Sequence, residues 1–398
     1  MTSEWKTYSV QELIDAGMLD EPLDGNHGSI HPKASDYVSA GVPFIMANNL
    51  VNGKVDYANC AYITEAQAST LRKGFAKPGD VLLTHKATIG RTAIVSDEYD
   101  TIILTPQVTY YRVKKGISNR YLKYYFDSST FQQLFANWAG SGSTRAYLGI
   151  TAQRKLPIVL PPYEVQLKIA KCCGVLDDKI YQNQRINDNL QQQAAALFSS
   201  LYDRTNTEVR FTDLIQILGG GTPKTGENTY WNGNIAFFTP KDVGTPYTLI
   251  TEKTITEEGL SHCNSRLYPV NTVFVTARGT VGKVGMSGVP MAMNQSCYAL
   301  VGKETHQLLV YFYTLKAVDR LKHKASGAVF DAITTRDFES EQIMKLSDDD
   351  AKAFLCIAEP MFQKVLNNCI ENLRLSTLRD SLLPKLMSGE VDVSAVQL

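Results

Sequence analysis

Two short stretches carry the residue types that recognise a polyanion. Residues 79–91 read G-D-V-L-L-T-H-K-A-T-I-G-R and residues 271–283 read N-T-V-F-V-T-A-R-G-T-V-G-K. The first places Thr84, His85, Lys86, Thr88 and Arg91 between two short β-branched runs, with Gly90 to turn the chain. The second places Thr276, Arg278, Thr280 and Lys283 there, with Gly279 and Gly282. Lysine and arginine neutralise phosphate, and threonine hydroxyls and loop N–H groups position it. Arg278 has a second reading, because its planar fork also fits the O6 and N7 edge of guanine. The amides Gln107, Asn294 and Gln295 either read adenine or cap strands. Further polar candidates are Arg145, Lys224, Lys241 and Lys324, with His31, Lys33 and Asn48 behind them. Any one of these is ordinarily a solvated surface group; two matched basic loops point further than one.

Bond-breaking chemistry finds no complete set. Pro161-Pro162-Tyr163 is close to the motif that holds a target amine in amino-methyltransferases, but Leu160 stands where an Asp or Asn is needed, and Pro-Pro is also a rigid helix lead-in. Gly219–Thr225 has Pro223 at the second glycine of a phosphate loop. Asp80 lacks the paired acid that Mg²⁺ chemistry requires. The histidines His27, His31, His85, His262, His306 and His323 have no metal-ligand spacing, and the seven cysteines form no C-x-x-C pair. The expectation is a non-catalytic chain with no metal or cofactor of its own.

The elements that position the loops come in duplicate. At a shift of 192, Thr84, Lys86, Thr88, Gly90 and Arg91 meet Thr276, Arg278, Thr280, Gly282 and Lys283. Upstream, Phe44 meets Phe237 at 193; downstream, Gln107 meets Gln295 and Tyr110 meets Tyr298 at 188, Tyr124 meets Tyr311 at 187, and Ser141-Gly142 meets Ser326-Gly327 at 185. The shift only falls along the chain, as loop deletions after a duplication would make it. The glycine-rich segments 139–145 and 325–331 read as loops near the binding face. Each half opens with short strands punctuated by Gly, Pro and Asn and closes with a long polar helix, over 163–202 and 349–387. The expected domains are 1–160, 161–207, 208–347 and 348–398.

In the first helix, Ile169, Cys173, Leu176, Ile180, Asn183, Asn187, Leu190, Ala194, Leu197 and Leu201 are spaced alternately by four and three, the a/d seam of a coiled coil. Adding 185 gives Phe354, Ala358, Met361, Val365, Asn368, Asn372, Leu375, Arg379, Leu382 and Leu386, the same seam apart from Arg379. Seam asparagines cost stability and fix register. Antiparallel pairing about residues 185 and 370 sets Asn183 against Asn372 and Asn187 against Asn368, and gives the two halves an approximate two-fold within one chain. About 32 residues at 1.5 Å rise make a rod of roughly 48 Å, or about 14 base pairs of duplex at ~3.4 Å each. Two modules on a two-fold match DNA with two half-sites.

The chain of 398 residues carries 40 basic and 40 acidic side chains. The two modules together are +3 and the helices −3, so any polyanion surface is local and weak. No apolar run reaches the ~20 residues that span a bilayer, no apolar leader core opens the chain, and an odd cysteine count fits a reducing cytoplasm.

The stretch 160–203, from L-P-P-Y-E-V-Q-L-K-I-A to A-L-F-S-S-L-Y-D, resembles the central helical region of type I restriction–modification specificity subunits. Residues 378–391, L-R-D-S-L-L-P-K-L-M-S-G-E-V, resemble their distal helical region, and G-G-T-P (220–223) and T-A-R-G-T-V-G (276–282) resemble their target recognition domains. The resemblance implies an α+β fold of two similar target recognition domains separated by two long antiparallel helices. It implies that each domain reads half of a bipartite site in double-stranded DNA. The helices would set the spacing and dock two methyltransferase subunits, with motor–nuclease subunits joining them. S-adenosylmethionine, ATP and Mg would belong to those partners. D-G-N-H-G-S-I-H-P-K in the first domain replaces G-G-G-T-P-K of the second, so the two half-sites differ. Two rival readings stay open: a nuclease or methyltransferase with its own site, and a protein scaffold that binds no DNA.

Overall fold

The computed structural model describes residues 5–140, 146–244, 246–324 and 332–398. Contacts divide the chain into two units, Met1–Lys179 with Leu375–Leu398, and Ile180–Arg374. Each unit holds one globular module and a stretch of each long helix.

The first module is closed at its root by Lys6–Ser9 paired antiparallel with Pro157–Leu160. One sheet runs in the order Leu23–Asp24, Val108–Tyr111, Val81–Thr84, Thr92–Ile94, Gly53–Val55, Leu50–Val51, and a second in the order Ala61–Ile63, Val42–Ile45, Ile102–Leu104, Phe75–Ala76. In the second module Glu208–Arg210 pairs antiparallel with Gln342–Met344. Its sheets run Ile215–Gly219, Cys297–Gly302, Val273–Thr276, Val284–Ser287, Tyr247–Thr248, and Lys253–Ile255, Trp231–Phe238, Met291–Met293. The orders coincide over five strands of one sheet and three of the other, down to the parallel pairs Val42–Ile45 with Ile102–Leu104 and Trp231–Phe238 with Met291–Met293; the first module adds an edge strand to each, Leu50–Val51 and Phe75–Ala76. The duplication is one of topology.

The strand that launches each basic loop is buried on both faces. Val81 and Leu83 join the core under the helices Asn119–Asp127 and Ser129–Trp138, while Leu82 joins the core of the other sheet with Ile45, Ile102 and Leu104. Val273 and Val275 likewise point to one core and Phe274 to another. Alternation of side chains along a strand makes this possible, and a run apolar on both faces is the result.

The strand register departs from the sequence match at one point. Val108 lies opposite Thr84, and Cys297 lies opposite Thr276. Gln107 therefore corresponds to Ser296, at a shift of 189, and Tyr110 to Ala299. The match of Gln107 to Gln295 and Tyr110 to Tyr298 was one residue out of register, which in a strand reverses the face.

The long helices run Tyr163–Tyr202 and Asp348–Met387. Ser347 begins the second: its hydroxyl accepts the Asp350 N–H at 3.1 Å, and three aspartates in the first turn favour the helix dipole. In the second unit Asn183 Nδ2 donates to Asn372 Oδ1 at 2.9 Å, and Asn368 Nδ2 to Asn187 Oδ1 at 2.8 Å. In the first, Ile169 and Cys173 are buried with Leu383 and Leu386, and Arg379, the one charged seam residue, donates to Asp177 Oδ1 at 2.6 Å. The pairing is antiparallel in both.

Candidate nucleic-acid interface

Each basic loop joins two antiparallel strands, Val81–Thr84 to Thr92–Ile94 and Val273–Thr276 to Val284–Ser287. The same pin closes both. Thr84 N–H donates to Arg91 O and the Thr84 hydroxyl accepts the Arg91 N–H, both at 2.9 Å. Thr276 N–H donates to Lys283 O at 3.0 Å and its hydroxyl accepts the Lys283 N–H at 2.9 Å. Gly90 and Gly282, at φ 85° and 74°, each give an N–H to that threonine's carbonyl. Thr84 and Thr276 are fully buried and their hydroxyls face the loop's own backbone. Both were candidate contacts; they act instead as the pins that aim Arg91 and Lys283 outward.

A second set of bonds stitches the loop root on both sides. His85 N–H donates to Gln107 O at 2.9 Å and Ala277 N–H to Ser296 O at 2.8 Å. Leu148 N–H donates to His85 O at 3.0 Å and Ile333 N–H to Ala277 O at 2.9 Å. Beyond this root Lys86, Thr88 and Arg91 are exposed on the first loop, and Arg278, Thr280 and Lys283 on the second. These six residues form the candidate contact sets. Ala87 holds the left-handed conformation at φ 64° where the second loop has Gly279 at 82°.

The remaining candidates divide. Gln295 is exposed and accepts from the Thr222 hydroxyl, whereas Asn294 Oδ1 accepts the Ser296 N–H at 3.0 Å and shapes its own turn. Gln107 is half-buried and serves His85 through its backbone. Lys224 is exposed, and Lys241 pairs with Glu252 at 3.6 Å, an exposed contact of small energy. Lys324 is tied to the buried Glu341, which also forms an ion pair with Arg320 at 2.9 Å. Lys33 and Asn48 are exposed, and half-buried His31 packs on Phe44 with centroids 5.5 Å apart. Arg145 and most of the two glycine-rich segments lie outside the described residues.

His85, another candidate contact, is wholly buried. Its Nδ1 lies 3.1 Å from Leu148 O, a carbonyl that can only accept, so Nδ1 carries the proton. Its Nε2 faces Asp24 Oδ2 at 3.9 Å. Asp24 is itself buried and accepts from His27 Nε2 at 3.0 Å and from Lys73. Burial raises the Asp24 carboxyl, but the Lys73 and His27 hydrogen bonds outweigh it and hold it below the usual aspartate range. Burial, opposed by Asp24, pushes His85 down to about 4, so the ring is neutral at pH 7. The sequence signal was D-G-N-H, the stretch where the modules part company. The second module has Ala277 in place of His85 and no equivalent cluster is present there among the described residues. Gly25 and Gly220 are shared: a Cβ would fall 1.9 Å from Leu104 O and 2.2 Å from Asn294 O. Sequence reasoning missed Tyr147, half exposed beside the first loop with Lys86 Nζ 5.9 Å from its ring centre; Ala332 takes its place in the second.

The motifs considered for catalysis have structural partners. Asp80 is buried under Arg112 at 2.7 and 2.9 Å, and Pro161 O and Pro162 O receive the side chain and N–H of Gln166 as the helix begins. Among the described residues, no three His, Cys, Asp or Glu side chains are grouped to hold a metal.

The sequence model of the type I restriction modification DNA specificity domain matches residues 2–192 and 204–345. The MjaIX specificity subunit of Methanocaldococcus jannaschii is 23% identical over 419 residues, covering 98% of this chain and 94% of that protein. The HindI specificity subunit of Haemophilus influenzae is 22% identical over 474 residues, covering 98% and 100%. Among solved structures, the type I restriction–modification S subunit from M. genitalium shares the fold, with a TM-score of 0.57, 14% identity and 96% of each chain covered.

Proposed function

This chain belongs to the type I restriction modification DNA specificity family, and on that premise we propose that it is the non-catalytic, sequence-reading subunit of a type I restriction–modification complex. Each module reads one half of a bipartite site in double-stranded DNA. Lys86 and Arg91 in one loop, and Lys283 in the other, neutralise phosphate; Arg278 contacts phosphate or the edge of a guanine. Two methyltransferase subunits and motor–nuclease subunits are the partners. S-adenosylmethionine, ATP and Mg act on those partners, and the long helices set the spacing of the half-sites. No helix among the described residues is long and apolar enough to cross a membrane, and the cytoplasm is the proposed location.

One observation carries this reading. The same threonine-pinned, doubly stitched loop is built twice and offers exposed cations twice, while the residues around the tips differ: Lys86 against Arg278, Tyr147 against Ala332. A common scaffold with unlike tips suits two unlike half-sites. The test is to map methylated positions in DNA exposed to this chain with its cognate methyltransferase. Residues 208–347 are then exchanged for the corresponding module of another specificity subunit. One half-site should change and the other stay. Methylation by this chain alone favours an enzyme, and an unchanged site favours a scaffold that does not read DNA. Inserting one heptad into both helices should lengthen the spacer between half-sites.

A further inference from the structure

The two long helices share one seam, so each is equipped to pair with a second copy of itself. Antiparallel pairing of two first helices sets Asn183 against Asn187, and pairing of two second helices sets Asn368 against Asn372. The asparagines therefore accept a like partner as readily as the unlike one, and something else must select between them.

The selecting pair lies in the first unit. Arg379 Nη1 donates to Asp177 Oδ1 at 2.6 Å, Tyr124 Oη donates to Asp177 Oδ2 at 2.6 Å, and Lys123 Nζ lies 3.5 Å from the same oxygen. Asp177 and Arg379 are largely shielded, with side chains 21% and 26% exposed. In the shared register Phe362 takes the place of Asp177 and Ala194 that of Arg379. Those two residues lie in the second unit, Ala194 at 0% and Phe362 at 3% exposure. There Tyr311, the counterpart of Tyr124, packs its ring 5.7 Å from Phe362, and Phe312 lies 5.5 Å from it. Equivalent sites thus carry an ion pair in one unit and an apolar contact in the other.

We propose that Asp177 and Arg379 direct the first helix to a second helix, which the connecting chain supplies within the same molecule, and reject pairing of either helix with its own copy. Two first helices together would set Asp177 against Ala194, leaving the carboxylate without its guanidinium. Two second helices would bring Arg379 against Phe362, leaving its guanidinium only the exposed Asp380 of its own helix, 2.7 Å away, and no partner across the seam. Each penalty occurs twice in a two-fold pair, because a shielded charge that loses its partner is strongly disfavoured. Only the unlike pair satisfies both residues.

The test uses the full chain carrying two different affinity tags. The two tagged forms are unfolded together, refolded at high concentration and captured through one tag; the other tag reports intermolecular pairing. Wild-type protein should refold as single chains. D177N/R379M, which keeps side-chain volume and removes both charges, should raise the mixed-tag fraction by at least about tenfold. If that protein lacks a cooperative melting transition, R379M alone is tested, since it frees the second-helix pairing from its penalty. A folded variant with the wild-type mixed-tag fraction overturns the proposal. So does wild-type protein that mixes as freely as the variants.

Discussion

Acidification should loosen the first module through one side chain. His85 is neutral in the fold, its Nδ1–H given to Leu148 O and its Nε2 turned toward Asp24 without a hydrogen bond. Burial lowers its pKa to about 4 from an ordinary 6.5. A depressed histidine pKa means that the unfolded chain takes up the proton first. The stability His85 contributes is complete above 6.5 and falls as pH drops toward 4. With one pKa unit worth 1.36 kcal/mol, the loss is about 2 kcal/mol by about pH 5 and about 3 kcal/mol at its limit. Protonation would also give Nε2 a donor facing the Asp24 carboxylate, an attraction that opposes the effect of burial without overcoming it. The assay compares urea unfolding of wild type and His85→Gln at about pH 7.5 and about pH 5, followed by tryptophan fluorescence, to which Trp5 and Trp138 of this unit contribute. Taking the difference between the proteins removes every other titrating group. Wild type should lose about 2 kcal/mol more than the variant between the two conditions. Equal losses, or an NMR titration of the His85 ring with its midpoint near 6.5, would refute the reasoning.

Three further outcomes follow from the loops and the charge distribution. Replacing Arg278 and Lys283 by alanine should reduce the slope of log affinity against log salt by about 1.8 where both contact phosphate and by about 0.9 where Arg278 reads a guanine edge, since each phosphate contact contributes about 0.9; anisotropy titrations of the complex with methyltransferase measure it, and an unchanged slope means that neither cation contacts phosphate. Gly25→Ala and Gly220→Ala should each destabilise the protein by about 2 kcal/mol or more, because the new methyl overlaps a backbone carbonyl that cannot withdraw; a melting temperature within a degree or so of wild type contradicts this. The isolated subunit, with modules of small net charge, should bind duplex at about micromolar strength or weaker at physiological salt, and nanomolar binding without partners would show that the subunit needs no other protein to hold DNA.

The duplication and the seam were legible because the chain supplies its own comparison. Thr84 and Thr276, 192 residues apart, announce a common loop, and spacing by four and three places Asn183 opposite Asn372 without any coordinates. The failures have physical causes. A residue at the junction of strand and loop belongs to both, and residue type alone does not say whether its side chain points inward; Thr84, His85 and Thr276 point inward. The slip at Gln107 arose because the segments between the paired strands differ in length, and a glutamine happens to sit one place from the true counterpart, Ser296. The Asp24–His85 contact joins residues far apart in sequence, with no periodicity to connect them. Arg379 was visible as the exception in the seam, but its meaning required Asp177, which lies one residue off that seam.

The loop architecture separates stability from reading. A threonine hydroxyl on a backbone N–H is satisfied whatever side chain that N–H belongs to, so Arg91 and Lys283 occupy the same pin with different cations. The root stitches are likewise backbone to backbone, and they tolerate His85 in one module and Ala277 in the other. Exposed tip residues add little to folding energy, and their exchange is ordinarily worth no more than about 0.5 kcal/mol. Groove contacts at the tip can then differ between modules while the sheet beneath stays the same. The first module departs from this independence at one point. There His85 connects the loop to Asp24, and through it to His27 and Lys73, so the D-G-N-H stretch and the loop root must change together. In the second module, where Ala277 makes no such demand, the tip is free to vary alone.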